Sequence, residues 1–276
     1  MKTIIITGAS GFIGRYFLDN LKEEFQIYAI ARRTRMEANV PYHHNIKWIQ
    51  GDISNKISMK EIGDYIYKNG GADYILHLAA FYDYSYTENP EYHRSNIIGT
   101  ENVLELGKQT EIKCFMFSSS IAGCKFTAQP RVVDETSPLD ADFAYARSKK
   151  EGEKLLEKYS CFYKCCSIRC AAVFSDWCEY APLYKFLETW LSNTLDSKIV
   201  AGRGKSAVAY IHINDLLAIV QKIIYKYKFL PDFNIFIASP NGSTSHLDLF
   251  EISTQYYFGK KIQPFFYPKN LHYLAY

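Results

Sequence analysis

The chain has 276 residues, 48% of them hydrophobic, with 32 basic and 29 acidic side chains and a net charge of +3. That length suits one large domain or a core domain with a smaller lobe, and it can bury enough apolar surface to need no metal or disulfide staple. The charges are mixed in sign throughout, which argues against a nucleic-acid footprint, and no apolar run approaches the ~18 residues of a membrane span.

From the N-terminus, Thr3 to Thr7 reads as a buried strand whose apolar run stops at Thr7-Gly8, too early for a secretion signal. A glycine-rich turn and a helix over about 13–24 follow. Further strands are expected at 26–31, 46–50, 74–78, 113–118 and 166–169, with helical segments near 56–68 and 93–110. Strand–helix alternation of this kind predicts a doubly wound parallel sheet of the α/β class. Beyond about 174 the pattern loosens: 177–195 reads as an aromatic helix and 235–237 as a short strand. The expected division is a cofactor domain over 1–170 that also receives about 207–237, and a small discontinuous C-terminal substrate lobe over 171–206 and 238–276. The seven cysteines, at 114, 124, 161, 165, 166, 170 and 178, are odd in number and lack a paired CxxC. They read as reduced thiols of a cytoplasmic protein used as small hydrophobes, rather than a disulfide framework or a zinc site.

The segment Thr7-Gly8-Ala9-Ser10-Gly11-Phe12-Ile13-Gly14 places glycines three apart between a strand and a helix. Gly8 permits the tight turn, Gly11 lets backbone amides approach a pyrophosphate, and Gly14 lets helix and strand pack closely. Phe12 and Ile13 then open a helix whose positive dipole end faces the phosphates. The second strand ends in Arg32-Arg33, where an NAD site usually carries an acid. Two guanidinium groups suit a 2′-phosphate, so NADP is preferred over NAD.

With these features the sequence resembles the extended short-chain dehydrogenase/reductase family of epimerases, dehydratases and ketoreductases, with its Rossmann-like fold. The ordered matches are the glycine motif, Gly51-Asp52-Ile53, His77-Leu78-Ala79-Ala80, Asn96 with Gly99-Thr100, Ser118-Ser119-Ser120, Tyr145-Ala146-Arg147-Ser148-Lys149, Arg169, and Tyr210 to Leu216. The resemblance implies that Asp52 hydrogen-bonds the adenine, that Ile53 packs beside it, and that the Ala79 backbone lies along the cofactor. It also implies a homodimer formed through helices of the cofactor domain.

Tyr145 and Lys149 are four apart and share one face of a helix. A free phenol has a pKa of about 10, and a nearby ammonium favours the phenolate, which makes such a tyrosine a usable acid or base. Lys149 can also hold the nicotinamide ribose, and Ser120 can hydrogen-bond the substrate oxygen that gains charge during hydride transfer. The cofactor itself carries the redox chemistry.

Departures from the family pattern narrow the expectation. Ile121 and Ala122 stand where sugar dehydratases of the family carry an Asp-Glu pair, which speaks against dehydration. Ala172 and Val208 stand where nucleotide-sugar enzymes typically place an Asn and an Arg, although Arg203 and Lys205 could compensate. Phe81 to Tyr86 should line the substrate cleft. The leading expectation is an NAD(P)-dependent oxidoreductase or epimerase acting on a sugar nucleotide. The alternatives are an NADPH-dependent reductase of a non-nucleotide carbonyl compound and a non-catalytic cofactor sensor.

Overall fold

Ile4, Ile5 and Ile6 are wholly buried in β1 (Lys2–Thr7), as expected of a strand at the middle of a parallel sheet covered on both faces. In this computed structural model, residues 1–84, 87–126 and 132–267 are described. The chain continues through α1 (Phe12–Leu21), β2 (Phe25–Ala31), β3 (Ile46–Gln50), α2 (Lys56–Lys68) and β4 (Tyr74–His77). The Asn55 side chain caps α2 by accepting from the amides of Ile57 and Ser58.

The helix expected near 93–110 is three pieces: α3 (Pro90–His93), a π-helical turn over Arg94–Ile98, and α4 (Gly99–Gln109). Asn89 caps the first turn and Pro90 opens it, which moves the start upstream of the periodic residues. Next come β5 (Cys114–Ser120), α5 (Ala144–Tyr159), β6 (Lys164–Cys170), β7 (Ala172–Phe174), α6 (Ala181–Trp190), β8 (Ile199–Ala201), β9 (Ala207–Val208) and β10 (Tyr210–His212). The chain then forms α7 (Ile213–Lys226), β11 (Phe233–Ala238), β12 (Thr244–Ser245), α8 (His246–Phe258) and β13 (Phe265–Tyr267). The aromatic helix expected over 177–195 is only α6. Cys178 takes a left-handed φ of 54° and Pro182 lies in the first turn, so helix cannot extend back to Trp177.

Two compact units result: residues 1–170 with 215–238, and residues 171–214 with 239–276. The return to the first unit comes at Asp215, later than the expected 207. The cause is local pairing: β10 joins β7 in parallel and β9 joins β12 in antiparallel, which holds residues 207–212 in the second unit. The second unit has its own small core of Trp190, Val200 and Phe250, with the Trp190 indole donating to the Ile199 carbonyl at 3.0 Å.

The first unit carries a seven-stranded, all-parallel sheet in the order β11-β6-β5-β4-β1-β2-β3. From β1 the chain adds strands on one side and then crosses to β4 on the other. Thr7 at the end of β1 therefore lies between Ile30 of β2 and His77 of β4. In open α/β sheets the crevice beyond the carboxyl ends of the strands at such a switch point is where ligands bind. Among the described residues no helix is long and apolar enough to cross a membrane.

Candidate functional site

At this switch point the turn after β1 is shaped by glycine. Gly8 has φ +69°, and a Cβ there would lie 2.7 Å from the Ala79 amide nitrogen. A Cβ on Gly14 would lie 2.3 Å from the Gly8 carbonyl oxygen, and one on Gly11 3.3 Å from the same atom. Gly11 caps α1 without a side-chain hydrogen bond, and the first turn, opened by Phe12 and Ile13, holds no acid. The leading amides of α1 therefore face outward as an uncapped positive end, a fit for an anionic group such as a pyrophosphate. Gly14→Ala should lower stability by about 1–3 kcal/mol, because the added methyl meets backbone and cannot rotate away. Urea unfolding of the two chains measures this.

A buried polar chain runs behind the loop. The Ala79 amide donates to Thr7 Oγ1 at 3.2 Å, and Thr7 Oγ1 lies 2.6 Å from His77 Nδ1. His77 Nε2 lies 3.0 Å from Thr100 Oγ1, whose own proton goes to the Asn96 carbonyl at 2.7 Å. The Thr100 hydroxyl must then accept from His77, so the ring proton sits on Nε2 and Nδ1 accepts from Thr7. Burial, helped by the Lys149 charge, holds His77 neutral with a pKa of about 3.

Toward the edge of the sheet, Arg33 donates to the Ser10 carbonyl at 2.6 Å, so the basic turn after β2 touches the glycine loop, and Arg32 is exposed. Asp52 does not stand alone. Its Oδ2 accepts from Arg94 at 2.9 Å, while its Oδ1 accepts from the Ser54 amide at 3.0 Å and the Ser54 hydroxyl at 2.8 Å. Burial acts to raise the Asp52 pKa, but the Arg94 and Ser54 hydrogen bonds outweigh it and the net shift is downward. Ile53 is buried, its carbonyl accepts from Asn102, and a Cβ at Gly99 would meet its side chain at 2.7 Å.

On the other side of β4, Ser120 ends β5 and Tyr145 and Lys149 lie on α5. Lys149 is only 2% exposed, its ammonium donates to the Ser118 carbonyl at 2.6 Å, and it stands 5.5 Å from the Tyr145 ring centroid. Burial lowers the Lys149 pKa to about 8, against the opposing pull of Cys170 and Glu153. Ser120 Oγ accepts from the Ala122 amide at 3.1 Å, which leaves its own proton to donate. The Tyr145 ring packs against Tyr82, with centroids 4.6 Å apart. Of the expected cleft loop Phe81 to Tyr86, residues 85 and 86 lie outside the described residues.

Three residues important to this arrangement carried no assigned role in the sequence reading. Asn96, in the π-helical turn, exchanges two hydrogen bonds with the Phe81 backbone and donates to Ser148 at 2.9 Å. Ser148 in turn donates to the Tyr145 carbonyl at 2.7 Å. Such turns break the i to i−4 ladder and are frequent at functional sites. Glu153 continues the 145–149 spacing by one more turn, and a carboxylate on the buried face of a helix is itself a signal. Arg94 is the third. Its i, i+3 spacing from Glu91 is visible in the sequence, but its reach to Asp52 is not. Among the described residues no group of three or more His, Cys, Asp or Glu gathers as metal ligands.

Residues 4–236 match the model of the NAD dependent epimerase/dehydratase family. A Synechocystis protein provisionally named dihydroflavonol 4-reductase is 28% identical over 54% of this chain and 42% of its own length. Human dTDP-D-glucose 4,6-dehydratase is 25% identical over 59% of this chain and 48% of its own length. The aligned stretch thus spans about half the length of these two relatives. Among solved structures, the UDP-N-acetylglucosamine 4-epimerase of Methanobrevibacter ruminantium, in complex with UDP-N-acetylmuramic acid, is 22% identical with a TM-score of 0.78, over 97% of this chain and 86% of that one. At that identity the likeness shows the fold, which is the doubly wound one that the strand–helix pattern predicts. The expectation against dehydration is corrected: dehydratases stand among the relatives and in the family's own description, so Ile121 and Ala122 do not set that chemistry aside.

Proposed function

The chain belongs to the NAD dependent epimerase/dehydratase family, and on that footing we propose that it moves hydride at a secondary alcohol or ketone of a nucleotide-activated sugar. The observation that carries this reading is the buried Lys149 ammonium beside the Tyr145 ring, donating to the Ser118 carbonyl two residues before Ser120 ends β5. A bound nicotinamide cofactor would supply the hydride chemistry. Tyr145 gives or takes the hydroxyl proton of the reacting carbon, with Lys149 favouring its phenolate and holding the nicotinamide ribose. Ser120 donates to the substrate oxygen as charge gathers there. Gly8, Gly11, Phe12, Ile13 and Gly14 would hold the pyrophosphate of that cofactor, and Asp52, Ile53 and Ala79 its adenosine.

The position of Arg33 against Ser10, with Arg32 beside it in sequence and no acid at the end of β2, supports NADP as the preferred cofactor. We expect a Michaelis constant for NADPH at least about tenfold below that for NADH, by the size of one charge-assisted pair. The reverse order would overturn the preference. Titration with UDP-, GDP- and dTDP-sugars in the presence of cofactor tests the substrate class, and saturable binding with turnover of one of them is expected. Ala172 and Val208 supply no charged donor for a diphosphate, which supports a second reading as a reductase of a non-nucleotide carbonyl compound. That reading predicts no saturable binding of any sugar nucleotide.

A further inference from the structure

Asp52 is more tightly committed than a residue that meets an adenine would need to be. An ionised carboxylate offers about four acceptor sites, two on each oxygen. Both sites of Oδ1 are taken, by the Ser54 amide at 3.0 Å and the Ser54 hydroxyl at 2.8 Å. One site of Oδ2 is taken by Arg94 Nη1 at 2.9 Å. A single acceptor site remains, on Oδ2.

Arg94 is itself fixed. Its Nε and Nη2 form a fork on the Glu91 carboxylate at 2.6 and 2.9 Å, and the Ser95 hydroxyl donates to the same carboxylate at 2.9 Å. The third nitrogen then points across to Asp52 and Ser54. Two further contacts from the same helical stretch brace the adjoining residue: Asn102 donates to the Ile53 carbonyl at 2.8 Å, and Gly99 leaves room for the Ile53 side chain. The helix that contains the π-helical turn therefore grips the whole Asp52-Ile53 corner, with Arg94 supplying the cation that bonds Asp52.

We propose that Arg94 is a positioning residue that narrows Asp52 to one outward acceptor site, aimed at the exocyclic amine of an adenine base. The inference rests on the proposed cofactor reading and deepens it, by naming the residue that makes the base subsite select an amino group over a carbonyl. An amino-bearing base can donate into the remaining site. A base with a carbonyl at that position brings a second acceptor against a carboxylate that cannot turn away. Lysine could not substitute, because one ammonium on a flexible stem lacks the fork that holds Glu91 while a third donor reaches Asp52.

The test compares binding of NADP and of its hypoxanthine analogue, in which a carbonyl replaces the adenine amine, by titration of protein fluorescence. For the unaltered protein we expect the adenine form to bind about tenfold more tightly. In Arg94→Met, adenine affinity should fall about five- to tenfold while hypoxanthine affinity holds within about twofold, so that discrimination collapses. Glu91→Gln, which frees the fork without touching Asp52, should move the ratio the same way to a smaller extent. A structural defect would weaken both bases alike, and that result, or an unchanged ratio in both variants, would overturn the proposal. If the unaltered protein binds neither form, nor NAD and its analogue, the cofactor reading itself fails.

Discussion

Replacing Tyr145 by Phe is expected to lower turnover by about 100- to 10,000-fold, the range that a single positioned acid or base supplies. Cofactor affinity should stay within about twofold, because on the proposed reading the phenol oxygen would act on the substrate, while the ring keeps its packing against Tyr82. On that reading Lys149 would let a tyrosine do this work near neutrality. Its ammonium is 5.5 Å from the ring centroid, and its pKa of about 8 keeps it charged at pH 7. As pH rises through that value the ammonium is lost and with it the stabilisation of the phenolate. Steady-state rates and a fluorescence titration on the same preparation measure both quantities. A Phe variant with unaltered turnover would remove Tyr145 from the chemistry.

The second large effect is on stability. Glu153→Leu should destabilise the fold by about 3–5 kcal/mol, because it strands a buried guanidinium. Glu153 Oε1 accepts from Ser119 and Ser167 at 2.7 Å each and from Arg169 Nε at 2.9 Å, and Oε2 accepts from Arg169 Nη2 at 2.7 Å. Arg169 also donates to the Ser137 carbonyl at 2.6 Å. The two side chains are 9% and 4% exposed, so water cannot replace a lost partner. The double variant Glu153→Leu, Arg169→Met removes both charges and should recover much of the loss. Urea unfolding at pH 7 on the single and double variants gives the coupling. Additive losses would show that the pair is not the source of the cost. The cluster joins β5, α5 and β6, the elements that carry Ser120, Tyr145 and Lys149, so its loss also loosens the geometry of the site.

Much of the first unit was legible because its signals are local. The strand–turn–helix around Gly8 to Gly14 needs only neighbouring residues, and so does the i, i+4 pairing of Tyr145 with Lys149. The features that escaped depend on partners far along the chain. The π-helical turn leaves hydrophobic periodicity almost intact, so nothing in the spacing of residues 93–110 announces it. Arg94 and Asp52 are 42 residues apart, and Glu153 meets Ser119 from 34 residues away. The strand read as 235–237 is really Phe233–Ala238, since its length is set by parallel pairing with β6 and not by its own composition. In the late part of the chain, short strands of two or three residues carry too little period to be seen at all.

The interrupted path of the first unit has a consequence for synthesis. Its sheet closes only when β11 pairs with β6, from Phe233 against Cys165 to Ala238 against Cys170. On a ribosome, β6 emerges long before its neighbour, and residues 171–232 must be made in between. At about 5–20 residues per second that interval lasts roughly 3–12 seconds. Throughout it the nascent chain carries a bare strand edge with Cys165 and Cys166 on it, a template for wrong pairing and a target for oxidants. The excursion that builds the second unit thus sets a window of seconds during which the β6 edge has no neighbour to pair with.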